Sequence, residues 1–138
     1  MLYSNTYMLK LRFENGEIDQ FKHPYLVLLD RNNNVSDKLM VLKGKTFNAI
    51  KHSMYIETGQ SYGPISLANP TIFNLIEICE IDDQTNPVFH EVDFEELKEV
   101  SVALNNAYVR DILTPTSKSI FQNHQQDFII RLNEHDLL

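Results

Sequence analysis

Tyr25-Leu26-Val27-Leu28-Leu29 is the most apolar run in the chain, and it lacks the alternation of a half-buried strand. A segment that is apolar on both sides must be covered on both sides, so the run predicts a strand buried on two faces. Pro24 cannot donate to a sheet ladder, which places it at the start of that strand and keeps His23 extended. Downstream lies a block of positive charge: from Lys38 to Ser53 there are four lysines, one histidine and no Asp or Glu. A buried strand beside a cationic segment is a layout that can build a site.

The 138 residues suffice for one domain with a real core, and 43% hydrophobic content fits a globular chain. No apolar run approaches the ~20 residues of a membrane span, and the N-terminus lacks the pattern of a signal peptide. The single cysteine, Cys79, cannot form an internal disulfide and gives no zinc spacing. The expectation is a soluble, cytoplasmic protein. The net charge of -7 is uneven: residues 91–138 carry 4 basic and 9 acidic groups, against 8 and 10 in residues 1–90. Bulk acidity argues against non-specific nucleic-acid binding but does not exclude a local cationic site in the first ninety residues.

Along the chain, Tyr7, Leu9, Leu11 and Phe13 alternate with polar neighbours and predict a strand with one wet face. Asn15-Gly16 signals a tight turn, and residues 17–21 a short return strand. Residues 30–34 predict a polar turn. Leu39 to Leu42 predicts the next strand, with Lys43-Gly44-Lys45-Thr46 breaking it. Met54-Tyr55-Ile56 predicts a further strand closed by Gly59, and Ser61 to Pro70 a loop. Ile72 to Ile81 is Ile-rich and partly alternating, which favours a strand over a helix. Asp82 to Glu91, with Pro87, is a polar connection. Asp93 followed by Glu96 is a capping signature, and Phe94, Leu97, Val100, Ser101, Leu104 and Tyr108 recur at helical spacing, predicting a helix over 94–109. Thr114-Pro115 can start a second helix, to about 132, and Asp136 to Leu138 reads as a frayed end. Strands first and helices after predict an α+β domain. It would be a small bent antiparallel sheet or SH3-like barrel of five to six strands, over residues 1–91, followed by one or two C-terminal helices over 92–138.

Several chemistries lack support. Lys43-Gly44-Lys45-Thr46 ends like a phosphate loop, but position 39 is Leu where the first glycine belongs. His23, His52, His90, His124 and His135 are scattered without metal-ligand spacing, so neither a metal nor another cofactor is expected. Asp82-Asp83 are adjacent and point apart on a strand or turn. No nucleophile elbow occurs. What remains is the cationic set Lys22, His23, Lys43, Lys45, Thr46, Lys51, His52 and Ser53. If the strands around 25–29 and 39–42 are antiparallel neighbours, His23 and Thr46 face each other across one rim. Histidine and lysine can supply the base, acid and cation that RNA cleavage without a metal needs, and Thr or Ser can bond a phosphate oxygen. The competing reading is ordinary edge charge that keeps strands from aggregating.

Residues 22–28, Lys-His-Pro-Tyr-Leu-Val-Leu, resemble the Arg-Pro-x-Leu-Val segment of MazF/PemK-type toxins. Leu39-Met40-Val41-Leu42 with Lys43-Gly44-Lys45-Thr46 is similar to the strand and Thr/Ser-bearing loop of that family and of the related ToxN-like toxins. Lys51 to Ile56 resembles their next strand, and Gly63 to Leu67 their later ones. The resemblance implies an SH3-like barrel, metal-independent cleavage of single-stranded RNA, a homodimer, and inhibition by an antitoxin protein or RNA. It puts His23 in the place of the catalytic arginine and Thr46 in that of the catalytic Thr or Ser. Lys43 or Lys45 stands for a loop lysine; from the cationic set itself, Lys22, Lys51, His52 and Ser53 are expected to bind the RNA. The alternative is a non-catalytic module of phage or mobile-element origin that binds a protein partner through Phe94 to Tyr108.

Overall fold

The computed structural model describes residues 5–9, 22–29, 38–82 and 90–134. The elements in chain order are β1 (Asn5–Leu9), β2 (His23–Leu29), β3 (Lys38–Thr46), α1 (Ala49–Glu57), β4 (Ser61–Ser66), β5 (Pro70–Asp82), β6 (His90–Glu91), α2 (Phe94–Val109) and α3 (Pro115–Glu134). The strands form one antiparallel sheet in the order β4-β5-β3-β2-β1-β6. The α+β class therefore stands, with a correction to its barrel form. Among the described residues the sheet is open, with β4 and β6 at its ends. The turns expected at Asn15-Gly16 and over 30–34, the return strand over 17–21, the C-terminal end after 134 and most of the connection after Asp82 lie outside the described residues.

β2 is buried on both faces, as its unbroken apolar run dictates. Leu26 and Leu28 share one face with Met40, Leu42, Phe73, Leu75 and Ile78, and α2 and α3 cover it with Leu97, Val100, Leu104, Phe121 and Phe128. Tyr25 and Val27 share the other face with Leu39, Val41 and Ile81, against which Cys79 packs. The second helix thus belongs to the core: Phe121 stacks on Tyr108 at 4.3 Å between ring centres and meets Phe128 edge-on at 5.5 Å.

The helix ends follow the residues that cap them. Asp93 accepts from the Glu95 amide at 2.7 Å at the start of α2. Thr114 accepts from the Ser117 amide at 3.3 Å, with Pro115 in the first turn of α3, where its missing N–H costs nothing. Ser117 also reaches into the sheet. β5 bulges between Phe73 and Ile78, and the Ser117 hydroxyl accepts from the Ile78 amide at 2.8 Å, while the Thr114 amide donates to the Ile76 carbonyl at 3.0 Å.

Three expectations need correction. Lys43 to Thr46 does not break β3; it continues it to Thr46. Gly44 fits there because the Phe73 ring lies over it: a Cβ at Gly44 would meet Phe73 Cε1 at 2.7 Å and Thr71 Cγ2 at 2.9 Å. Phe73 is fully buried and cannot yield, so Gly44→Ala is expected to cost about 1–3 kcal/mol, measured by denaturant unfolding. Ser61 to Ser66 is not loop but the edge strand β4, where Pro64 is tolerated because an edge does not need every N–H.

The largest correction is α1. Met54-Tyr55-Ile56 is not a strand but lies in the C-terminal half of a helix. Asn48 caps its start, accepting from the Ile50 and Lys51 amides at 3.0 and 3.1 Å. Gly59, at φ +76°, ends it with the paired bonds Gly59 N–H to Ile56 carbonyl (3.2 Å) and Gln60 N–H to Tyr55 carbonyl (2.8 Å). The β-propensity of Tyr and Ile lost to caps at both ends.

Candidate functional site

β1, β2, β3 and the turn into β5 meet at one end of the sheet and enclose a hollow of about 210 Å³. Its lining is Met8, Lys22, Pro24, Thr46, Leu67, Ala68, Asn69 and Thr71. The antiparallel pairing of β2 with β3, with Leu26 opposite Leu42, brings the start of one strand beside the end of the other. The Phe47 amide donates to the Pro70 carbonyl at 2.8 Å, which holds the end of β3 against the start of β5. The Thr71 hydroxyl donates to the Asn69 carbonyl at 2.9 Å and shapes the floor. Lys22 and Thr46 are both exposed at the mouth. Among the described residues neither side chain has a hydrogen bond or ion pair, so an ammonium and a hydroxyl are left for a ligand.

The eight residues singled out in the sequence divide. Lys22 and Thr46 come together. His23 does not join them: side chains alternate along a strand, and Lys22 and Pro24 line the hollow while His23 turns to the Tyr25 face. The expected His23–Thr46 pair across one rim is corrected to Lys22–Thr46. Lys43, opposite Tyr25, also lies on that other face, where it acts on Cys79; burial pushes the Cys79 thiol up and Lys43 pulls the other way. Lys45 is exposed at the end of β3 and Lys51 is exposed on α1.

His52 and Ser53 are committed to α1. The Ser53 hydroxyl donates to the Ala49 carbonyl at 2.7 Å. The His52 side chain is buried, and its Nδ1 accepts from the Asn48 amide at 2.8 Å. That bond leaves Nδ1 without a proton and places the ring proton on Nε2. Burial, and then Lys45 and Lys51, hold His52 below the usual histidine range. A histidine held neutral in the folded chain contributes stability that is present above pH ~6.5 and is lost as pH falls below it. Melting temperature is therefore expected to decline from pH 7.5 to 5.5, and the decline to be shallower in His52→Gln.

Met8, Leu67, Asn69 and Thr71 were not found by sequence reasoning. Asn69-Pro70 ahead of the Ile72 run was the available signal, since a turn before a strand delivers its flanking residues to a sheet end. Among the described residues no group of three His, Cys, Asp or Glu could hold a metal ion, and no helix is long and apolar enough to cross a membrane.

The apolar side of α2 is turned into the core, while Glu95 and Glu99 stay exposed. Leu97, Val100, Leu104 and Ala107 are buried in the core. Glu95 pairs with Lys98 at 3.0 Å, and Glu99 accepts the Tyr62 hydroxyl. Burial and then Glu99 push the Tyr62 phenol far above its ordinary range, so it remains a donor.

Fold and site together define an α+β domain with a small cationic hollow at one end of an open antiparallel sheet. No protein-family model and no curated protein matches the chain.

Proposed function

We propose that this chain is a metal-independent endoribonuclease of the MazF/PemK type, the toxin of a toxin–antitoxin pair. The observation that carries the reading is the Lys22 ammonium and Thr46 hydroxyl side by side at the mouth of one hollow, uncommitted among the described residues. A phosphodiester needs such a pair. As the RNA 2′-hydroxyl attacks phosphorus, negative charge grows on the non-bridging oxygens, and a cation and a donor aimed there lower the barrier. The P–O5′ bond breaks, leaving a 2′,3′-cyclic phosphate and a 5′-hydroxyl, with the 2′-hydroxyl proton passing to water and the leaving 5′-oxygen taking a proton from water. Lys22 takes the charge-stabilising role and Thr46 the positioning role.

The resemblance names His23 as the acid or base, but its side chain lies on the opposite face from the hollow, so the reading rests on Lys22 and Thr46. The resemblance also supplies the partners: an antitoxin protein or RNA, and a second copy of the chain. In a bacterium, induced expression is expected to arrest growth and to convert total RNA into discrete fragments. Normal growth with intact RNA would remove the toxin reading.

A further inference from the structure

α1 folds with its apolar side outward. Only His52 is buried and Ile56 half-buried, whereas Ile50 is 97%, Met54 71% and Tyr55 46% exposed. At about 100° per residue, Ile50, Met54, Lys51 and Tyr55 fall in one arc of about 140°. An isoleucine and a methionine held in water are unusual enough together to call for an occupant.

The position of α1 says which occupant. Its first residue, Ala49, follows Thr46 by three positions, within about 11 Å along the chain. Its far end meets Arg110, whose Nη1 donates to the Thr58 carbonyl at 3.0 Å. Arg110 borders a second hollow of about 290 Å³, lined also by Gly59, Ala103 and the exposed Val109. Lys45 and Lys51 both act on His52, so two cations flank the first turn of α1, and α1 carries no acid before Glu57. The amides at the start of α1 are not the attraction, because Asn48 and His52 already take three of them. A pair of cations with an aromatic and apolar surface beside it suits single-stranded nucleic acid: phosphates meet the charges and bases lie on the apolar side chains. α1 is about 13 Å long, room for about four nucleotides at the ~3.4 Å spacing of a stacked strand. A two-fold antiparallel pair of α1 helices would instead bring both Lys51 side chains to one flank, where like charges repel.

We propose that α1 is the track along which the RNA strand leaves the Lys22–Thr46 hollow, with a base stacked on Tyr55, bases across Ile50 and Met54, and phosphates on Lys45 and Lys51. The proposal rests on the ribonuclease reading and adds the path of the flanking nucleotides. Tyr55→Ala and Lys51→Glu change exposed side chains and leave the fold intact, which circular dichroism checks.

The experiment measures each variant twice. Fluorescence polarisation follows binding of a labelled single-stranded RNA of about a dozen nucleotides, and cleavage is followed on a dinucleotide too short to reach α1. Each variant is expected to weaken binding of the long RNA by at least about fivefold, Lys51→Glu to flatten its salt dependence, and Tyr55→Ala to leave dinucleotide cleavage unchanged. Wild-type binding in both variants, with the wild-type chain active, overturns the track and leaves the hollow reading standing. Loss of a co-purifying protein from the α1 variants, with RNA binding intact, assigns the surface to a protein and also overturns the track. A wild-type chain that neither binds nor cleaves RNA overturns the ribonuclease reading itself.

Discussion

The double variant Lys22→Ala, Thr46→Ala is expected to lose RNA cleavage by more than about a thousandfold, and each single variant by at least about a hundredfold. These are the effects of removing donors that meet developing charge at a reacting centre. Both side chains are exposed at the mouth of the hollow, so stability is expected to change by no more than about 0.5 kcal/mol. Conservative replacements separate charge from shape. Thr46→Ser keeps the hydroxyl and is expected to keep most activity, whereas Thr46→Val keeps the shape and is expected to behave like alanine. Lys22→Arg keeps the charge and is expected to fall between wild type and Lys22→Ala. Initial rates on a labelled oligonucleotide check all of these. Unchanged rates in the double variant would detach the hollow from the chemistry.

Phe121→Ala is expected to destabilise the chain by about 3–5 kcal/mol, a large part of the ~5–15 kcal/mol that holds a typical domain. The ring is fully buried, stacked on Tyr108 of α2 and edge-on to Phe128 of α3. Removing it empties the seam where both helices meet the sheet. The melting temperature is expected to fall by roughly 10–17 °C. Gln122→Ala, one position along on the exposed side of α3, is expected to change stability by less than about 0.5 kcal/mol. If both substitutions were equally mild, α3 would not belong to the core.

Much of the fold was legible because burial writes itself into pattern. β2 shows it most directly, since a strand covered on both faces needs an unbroken apolar run. α2 shows it too, through a capping Asp93 and apolar residues at helical spacing. α1 was misread for a physical reason. Its inward residues are His52 and Ile56, while Ile50, Met54 and Tyr55 face water, so the apolar pattern marks the wrong side. Only Asn48 and Gly59, at helix-ending positions, carried the correct signal. β4 was hidden by Gly63 and Pro64, which suit an edge strand as well as a loop.

The site was legible in composition but not in geometry. The acid-free lysine block includes Thr46, which lines the hollow. Register then decided which members meet, and strand alternation sorts Lys22 from His23 although they are neighbours in sequence. A hollow assembled from β1, β3 and the start of β5 also needs partners more than twenty residues apart, which no local pattern announces.

The most direct test is to incubate the purified chain with single-stranded RNA in the presence of a metal chelator and to analyse the ends of the products. Fragments ending in 2′,3′-cyclic phosphate and beginning with 5′-hydroxyl, formed by the wild-type chain and absent with Lys22→Ala, Thr46→Ala, are the predicted result. RNA that stays intact with well-folded wild-type protein, or is cut equally by the double variant, would contradict it.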